Sequence, residues 1–232
     1  MFGTNETYKQ PFNPSDMMHK PIDINTWNRR EIYNHFSQMK MPHYAVAGNI
    51  DVTRLLEYKR EHHISFYLSF IYLATKCLND IENFRYRIIN GEVVLCDCIH
   101  TNFTHKRADE ELFHFYTAPF EGTLLEYVRK TAEGMAGQTT FFGGMDPVPN
   151  VAYLSCAPNV DATNITNPGI DNPDDAIPRI NWGKYVLHDG RWILNVTLTA
   201  NHRFIDGYHI GLFFQHLQEA IDQLPSAQQT TD

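Results

Sequence analysis

The chain has 232 residues, 43% of them hydrophobic, enough to fill one sizeable core. This predicts a single domain over residues 21–223, between an N-terminal extension, 1–20, and a disordered tail, 224–232. A net charge of −8 and a pI near 5.8 argue against a nucleic-acid partner, which needs a lysine and arginine surface to displace counterions from phosphates.

The first twenty residues are polar, and the most apolar stretch, residues 64–78, falls short of the ~20 residues needed to cross a bilayer. No secretory signal or membrane partner is therefore expected, and the predicted location is cytoplasmic.

Taken in order, an amphipathic helix is predicted from about Trp27, with Ile32, Tyr33 and Phe36 as its apolar stripe, ending in the region of Pro42. Residues 44–50 read as a strand and Asp51 as the N-cap of a helix carrying Leu55 and Leu56. Residues 65–79 read as a second, more buried helix. Asn90 and Gly91 separate two β-prone runs and suit a type I′ hairpin turn.

Further strands are expected at 113–117, 151–156 and 180–187, with a helix over 123–134. Phe141, Phe142, Gly143 and Gly144 read as an apolar loop, either lining a tunnel mouth or packed on the surface. Residues 157–178, rich in Asn, Asp, Pro and Thr, read as a long loop of a length more often functional or mobile than inert. Asp189 and Gly190 mark a last hairpin, and Trp192 opens the final strand. A helix follows Gly207, in which Ile210, Phe213, Leu217 and Ile221 repeat at helical spacing.

Four cysteines in a chain of this size point to reduced thiols rather than a disulfide framework. Cys96, Cys98 and His100 alternate and would face one way on a strand. No fourth ligand is near in sequence, so no metal is predicted. Cys156 reads as an inert thiol in an apolar strand.

The stretch L-T-A-N-H-R-F-I-D-G-Y-H-I, residues 198–210, holds the candidate chemistry. Alternation places Leu194, Val196, Leu198 and Ala200 on one face of the final strand, and His202 projects from the end of that apolar row. A neutral imidazole is the form a general base needs. Asp206 stands where it can cap the following helix, and Gly207 lets the backbone turn. Taken alone, a strand-end histidine is most often structural, and an Asp before Gly is usually just a turn.

The pattern N-H-R-F-I-D-G-Y-H resembles the H-H-x-x-x-D-G signature of the chloramphenicol acetyltransferase family, shared more loosely with dihydrolipoyl acyltransferases. Its second histidine falls on His202. The resemblance extends to W-N-R-R-E from Trp27, N-G-E-V-V-L-C-D from Asn90, L-S-C-A-P from Leu154 and I-N-W-G-K-Y from Ile180, in the family's order.

The resemblance implies an α/β fold, an α+β two-layer sandwich with a mixed sheet and packed helices. It also implies a homotrimer with active sites between subunits, acetyl-CoA as co-substrate and no permanently bound cofactor. His202 would take the proton of an acceptor hydroxyl, and Ser155 would hydrogen-bond the tetrahedral oxyanion. Arg29 and Asp206 would form a structural ion pair. Lys184, Tyr185 and Asn181 would lie on the CoA side, and Phe36, Tyr44 and Phe113 on the acceptor side.

Chloramphenicol is the family's acceptor, and antibiotic resistance the role that goes with it. This chain departs from the family at Asn201, where the signature has its first histidine, and at Asn181, where a threonine is usual. Phe36 replaces a frequent tyrosine, and the loop over 161–175 lacks the family's aromatics. The departures keep two alternatives open: an acetyltransferase with another alcohol or amine acceptor, or a catalytically silent trimeric binding protein.

Overall fold

The computed structural model describes residues 19–107, 110–146, 148–168 and 171–226. Most of the expected extension and the end of the expected tail lie outside the described residues. Among them are five α-helices and two sheets. The small sheet joins β1 (His19–Pro21), β3 (Tyr86–Ile89) and β4 (Glu92–Cys96), with β4 in the middle. The β3–β4 hairpin turns as expected, with Asn90 at φ 53° and Gly91 at φ 83°, the left-handed pair that a type I′ turn requires. His19 and Lys20 therefore pair as strand, inside the stretch read as an extension.

The main sheet is mixed. Its strands are β2 (His43–Asp51), β5 (His100–Lys106), β6 (Phe113–Ala118), β7 (Phe142–Gly144), β8 (Val151–Cys156), β9 (Arg179–Trp182), β10 (Val186–His188) and β11 (Arg191–Asn201). They run in the order β10-β11-β9-β8-β5-β6-β7, and β2 pairs with the other side of β11 along its whole length. Pairing is antiparallel around β11 and parallel for β5–β8, β8–β9 and β6–β7.

The core lies between one face of this sheet and the helices. Helix α3 (Phe66–Asp80), capped by Ser65, buries Leu68, Phe70, Ile71, Ala74, Cys77 and Leu78. It touches α2 (Thr53–Glu61), α4 (Leu124–Ala136) and α5 (Gly207–Asp222). From the sheet, Leu154, Ile180, Val196 and Leu198 point into the same core.

Several expectations are corrected. The first helix, α1 (Arg30–Phe36), starts three residues late. Trp27 is instead committed to an aromatic cluster with Tyr33, Tyr86 and Phe204, and the chain turns before the helix can begin. Asp51 ends β2 rather than capping α2, although its carboxylate still accepts the Thr53 amide at 2.9 Å.

The strand expected at 180–187 is two strands. Between them Gly183 lies against the long loop, where a Cβ would come within 2.4 Å of the Val160 carbonyl. Phe142–Gly144 is an edge strand rather than a loop. Leu224 is held by Arg54 Nε at 3.0 Å, so the ordered chain runs past the predicted end.

The long loop, 157–178, has no regular structure among its described residues, yet it is tied across the face of the sheet away from the helices. The Ile165 amide donates to Thr197 Oγ1 at 3.1 Å, and Thr197 Oγ1 donates to Asn164 Oδ1 at 3.1 Å.

Candidate active site

His202 is the first residue beyond β11. Its amide donates to the Pro42 carbonyl at 2.8 Å. Its imidazole lies between two rings, Phe36 at 4.0 Å with an interplanar angle of 10° and Tyr44 at 4.4 Å with 26°. Its Nδ1 is buried and has no hydrogen-bond partner among the described residues, so the two stacked rings are the contacts that orient it. The Tyr44 hydroxyl is pushed up to about 12, first by burial and then by the nearby Asp206 carboxylate, so this wall of the site stays uncharged.

The turn after His202 is stapled from several sides. Arg29 Nε donates to the Arg203 carbonyl at 2.9 Å, and Asn83 Nδ2 donates to the Phe204 carbonyl at 2.9 Å. Arg29 Nη1 pairs with Asp206 Oδ2 at 2.9 Å, with the Arg29 side chain only 9% exposed. Asp206 also caps α5, accepting the Tyr208 amide at 3.1 Å.

Burial works against ionising Asp206, but the Arg29 hydrogen bond, His209, the Arg29 charge and the Tyr208 amide together hold its carboxyl below its ordinary value. His209 completes a capping box by accepting the Asp206 amide on Nδ1 at 3.2 Å. Burial lowers the His209 imidazole, so the neutral ring that can accept is the favoured form.

Ser155 is elsewhere. It stands opposite Asn181, which stands opposite Thr197, so the three share one face of the sheet. Thr104 Oγ1 and Ser155 Oγ lie 3.1 Å apart, Thr104 pairs with Phe115, and Phe115 pairs with Phe142. A transverse row thus runs from Phe142 through Phe115, Thr104, Ser155 and Asn181 to Thr197, on the face away from the helices. Phe113 lies two residues along the same face, 48% exposed, with Phe115 at 5.4 Å and Phe141 at 5.8 Å.

His202 extends from the opposite face. Thr197 is five residues before it, about 17 Å of strand, and Ser155 is two strands, about 10 Å, further across. Among the described residues no hydrogen bond or ring contact joins the two. Arg29 with Asp206, and Phe36 and Tyr44 with His202, are brought together. Phe113 and Ser155 are not brought to them.

Asn181 is 3% exposed, and its Nδ2 is buried without a hydrogen-bond partner among the described residues. Lys184 and Tyr185 sit in the break between β9 and β10. Lys184 is exposed, and Tyr185 packs at 5.1 Å from Phe66 and 5.4 Å from Trp192.

Cys96 and His100 end one strand and open another, so the three alternating candidates do not share a strand. His100 Nδ1 accepts the Phe120 amide at 3.1 Å, and among the described residues no His, Cys, Asp and Glu group could hold a metal. Cys156 is pushed up to about 12 by burial, leaving an inert thiol.

Thr104 was not singled out from the sequence, because β5 reads as polar. The available signal was weak, two β-branched threonines flanking Phe103 in the run from Thr101 to Thr104.

The family model for chloramphenicol acetyltransferase matches residues 17–218. The chain belongs to the chloramphenicol acetyltransferase family. Membership makes it an acetyl-CoA-dependent acyltransferase.

A chloramphenicol acetyltransferase of Bacillus pumilus is 24% identical over 208 residues, covering 88% of this chain and 94% of the relative. One of Streptomyces acrimycini is 27% identical, covering 85% and 92%. A solved chloramphenicol acetyltransferase superposes with a TM-score of 0.80 at 24% identity, covering 88% of this chain and all of the other. A dihydrolipoamide acetyltransferase of Azotobacter vinelandii shares the fold at a TM-score of 0.62 and 16% identity, covering 83% and 86%. No described helix of this family member is long and apolar enough to cross a membrane.

Proposed function

We propose that this chain O-acetylates chloramphenicol or a chloramphenicol-like hydroxyl, using acetyl-CoA as co-substrate, in a homotrimer whose sites are completed by neighbouring protomers. His202 Nε2 takes the proton of the acceptor hydroxyl as its oxygen attacks the thioester carbonyl. General-base help of this kind is worth about 10²–10⁴-fold. The oxyanion of the tetrahedral intermediate accepts a hydrogen bond from the Ser155 hydroxyl, and the unpaired Nδ2 of Asn181 is the neighbouring donor. Collapse breaks the C–S bond, and the leaving thiolate takes the proton back from the imidazolium, so protons and charge balance over the cycle.

Arg29 and Asp206 hold the turn and do no chemistry. Exposed Lys184 faces CoA phosphate, with Tyr185 beside it for the adenine. Phe36 and Tyr44 on one protomer and Phe113 on the next form the acceptor walls.

The observation that carries this reading is the imidazole stacked between Phe36 and Tyr44 on a turn stapled by Arg29 and Asp206. Placement of Ser155 on the opposite face supports a composite site, because one chain cannot bring the two groups together.

The test follows CoA release with a thiol reagent while acetyl-CoA is offered with chloramphenicol and with a panel of alcohols and amines. Release with chloramphenicol is the expected result. Release with other acceptors only makes this a divergent acetyltransferase, and no release with any acceptor leaves the binding-protein alternative.

A further inference from the structure

The residues on either side of the base grip the same short piece of the long loop. Asn201 Nδ2 donates to the Pro173 carbonyl at 2.9 Å and to the Asp175 carbonyl at 3.0 Å, while its Oδ1 accepts the Arg203 amide at 3.0 Å. Arg203 Nη1 pairs with Asp174 at 2.6 Å, its own side chain only 5% exposed.

Beneath Tyr44, its neighbour His43 makes a 2.6 Å hydrogen bond through Nε2 with the Asp175 carbonyl. Arg179 Nη2 pairs with Asp175 at 2.6 Å. Asn201 and His43 face each other across β11 and β2, as Ala200 and Tyr44 do one step along. The pleat therefore sends catalytic-side groups to one face and their immediate neighbours to the other.

We propose that Asn201 and Arg203 are positioning residues for His202: by clamping Pro173–Asp175 under the end of β11, they fix the turn that presents the imidazole. Among the described residues the buried Nδ1 of His202 has no hydrogen-bond partner, so the placement of the ring depends on stacking and on the backbone at 201–203. That backbone is held from above by Arg29 and from below by this clamp.

Asn201 is also where the chain departs from the double histidine of the signature. Its carboxamide supplies two donors and an acceptor at once. A neutral imidazole supplies one of each.

The catalytic consequence rests on the reading of His202 as the base, so the experiment has two arms. In the first, the ring C–H resonances of His202, assigned by their loss in H202Q, are compared between wild type and N201A. Rings stacked at 4.0 and 4.4 Å shift those resonances strongly, and global stability alone does not.

N201A is expected to move them towards the free-histidine position well below its melting temperature, with N201H intermediate. In the second arm, N201A lowers kcat about ten- to a hundredfold with KM for acetyl-CoA within about twofold, as a misplaced group does. Should N201A fail to fold, D174N at a half-exposed position removes the Arg203 pair and is measured the same way.

Folded variants with unchanged His202 resonances overturn the proposal. Moved resonances in N201A, together with an H202A enzyme of undiminished turnover, overturn the base assignment and leave the positioning intact.

Discussion

Two regions of the sheet carry the residues proposed for the chemistry, and they are built in opposite ways. At the end of β11 the histidine turn is over-determined: Arg29, Asn83 and Asp206 bond its backbone or cap its helix, and the Pro173–Asp175 segment braces it from behind. At the other end, Ser155 sits in a transverse row that runs into Phe113 and Phe142, 48% and 65% exposed. A proton-transfer group must be held in one place before substrate arrives, which long-range polar bonds accomplish. A pocket wall needs only apolar surface to cover the ligand, and it is completed when something packs on it.

The sharpest way to break this contrast is His202→Ala, which should lower acetyl transfer by about 10²–10⁴-fold without unfolding the chain. Turnover is followed by CoA release and folding by circular dichroism. Ser155→Ala comes next, at about 10²–10³-fold, the usual cost of an oxyanion donor.

Co-expressing the two variants tests whether the regions belong to different protomers. With random mixing in a closed ring, about a quarter of the interfaces pair an intact histidine with an intact serine, and activity returns in that proportion. A site contained in one chain would recover nothing. A smaller effect is expected from Phe142→Ser at the exposed corner, which should raise KM for the acceptor about fivefold, roughly 1 kcal/mol of aromatic contact. The KM for acetyl-CoA should stay unchanged.

How legible each region was in the sequence follows the same division. The histidine turn was readable because its geometry is local: alternation along β11 placed His202, and the Asp206-Gly207 pair marked the start of α5. The Arg29–Asp206 pair spans 177 positions and came only from family resemblance.

Strand β5 escaped because its buried polar residues are satisfied by partners distant in sequence. Thr101 Oγ1 bonds the Ala118 carbonyl and the Tyr127 hydroxyl, and Asn102 bonds Thr117. The break at Gly183 escaped for a similar reason, since it is imposed by Val160 on the crossing loop rather than by anything in I-N-W-G-K-Y. The segment read only as a long loop, functional or mobile, because Asn, Asp and Pro are loop residues. Here those side chains and carbonyls are the hydrogen-bonding surface that binds it to β11.

The smallest predicted effect concerns pH and separates two caps on the same helix. Burial lowers His209 from its ordinary 6.5, so below about pH 6.5 the unfolded chain binds more protons there than the folded one, and stability falls as pH falls. Asp206 is also lowered, from 3.8, and its contribution is present above that value and lost only on further acidification. Gln at the third helical position accepts the N-cap amide as His209 does but does not titrate.

His209→Gln should therefore flatten the fall in melting temperature just below pH 6.5, by no more than a few degrees, and leave the limb below pH 3.8 in place. Asp206→Asn should do the reverse, shrinking the acid limb by the Asp206 share while lowering stability at neutral pH through loss of the Arg29 pair. Melting curves of the three proteins across pH 3–8 decide it, and parallel curves for wild type and His209→Gln would remove His209 from the account. Either cap can then be lost without displacing the turn at His202, because that turn is held at Arg203, Phe204 and the loop beneath them as well as by the helix that follows.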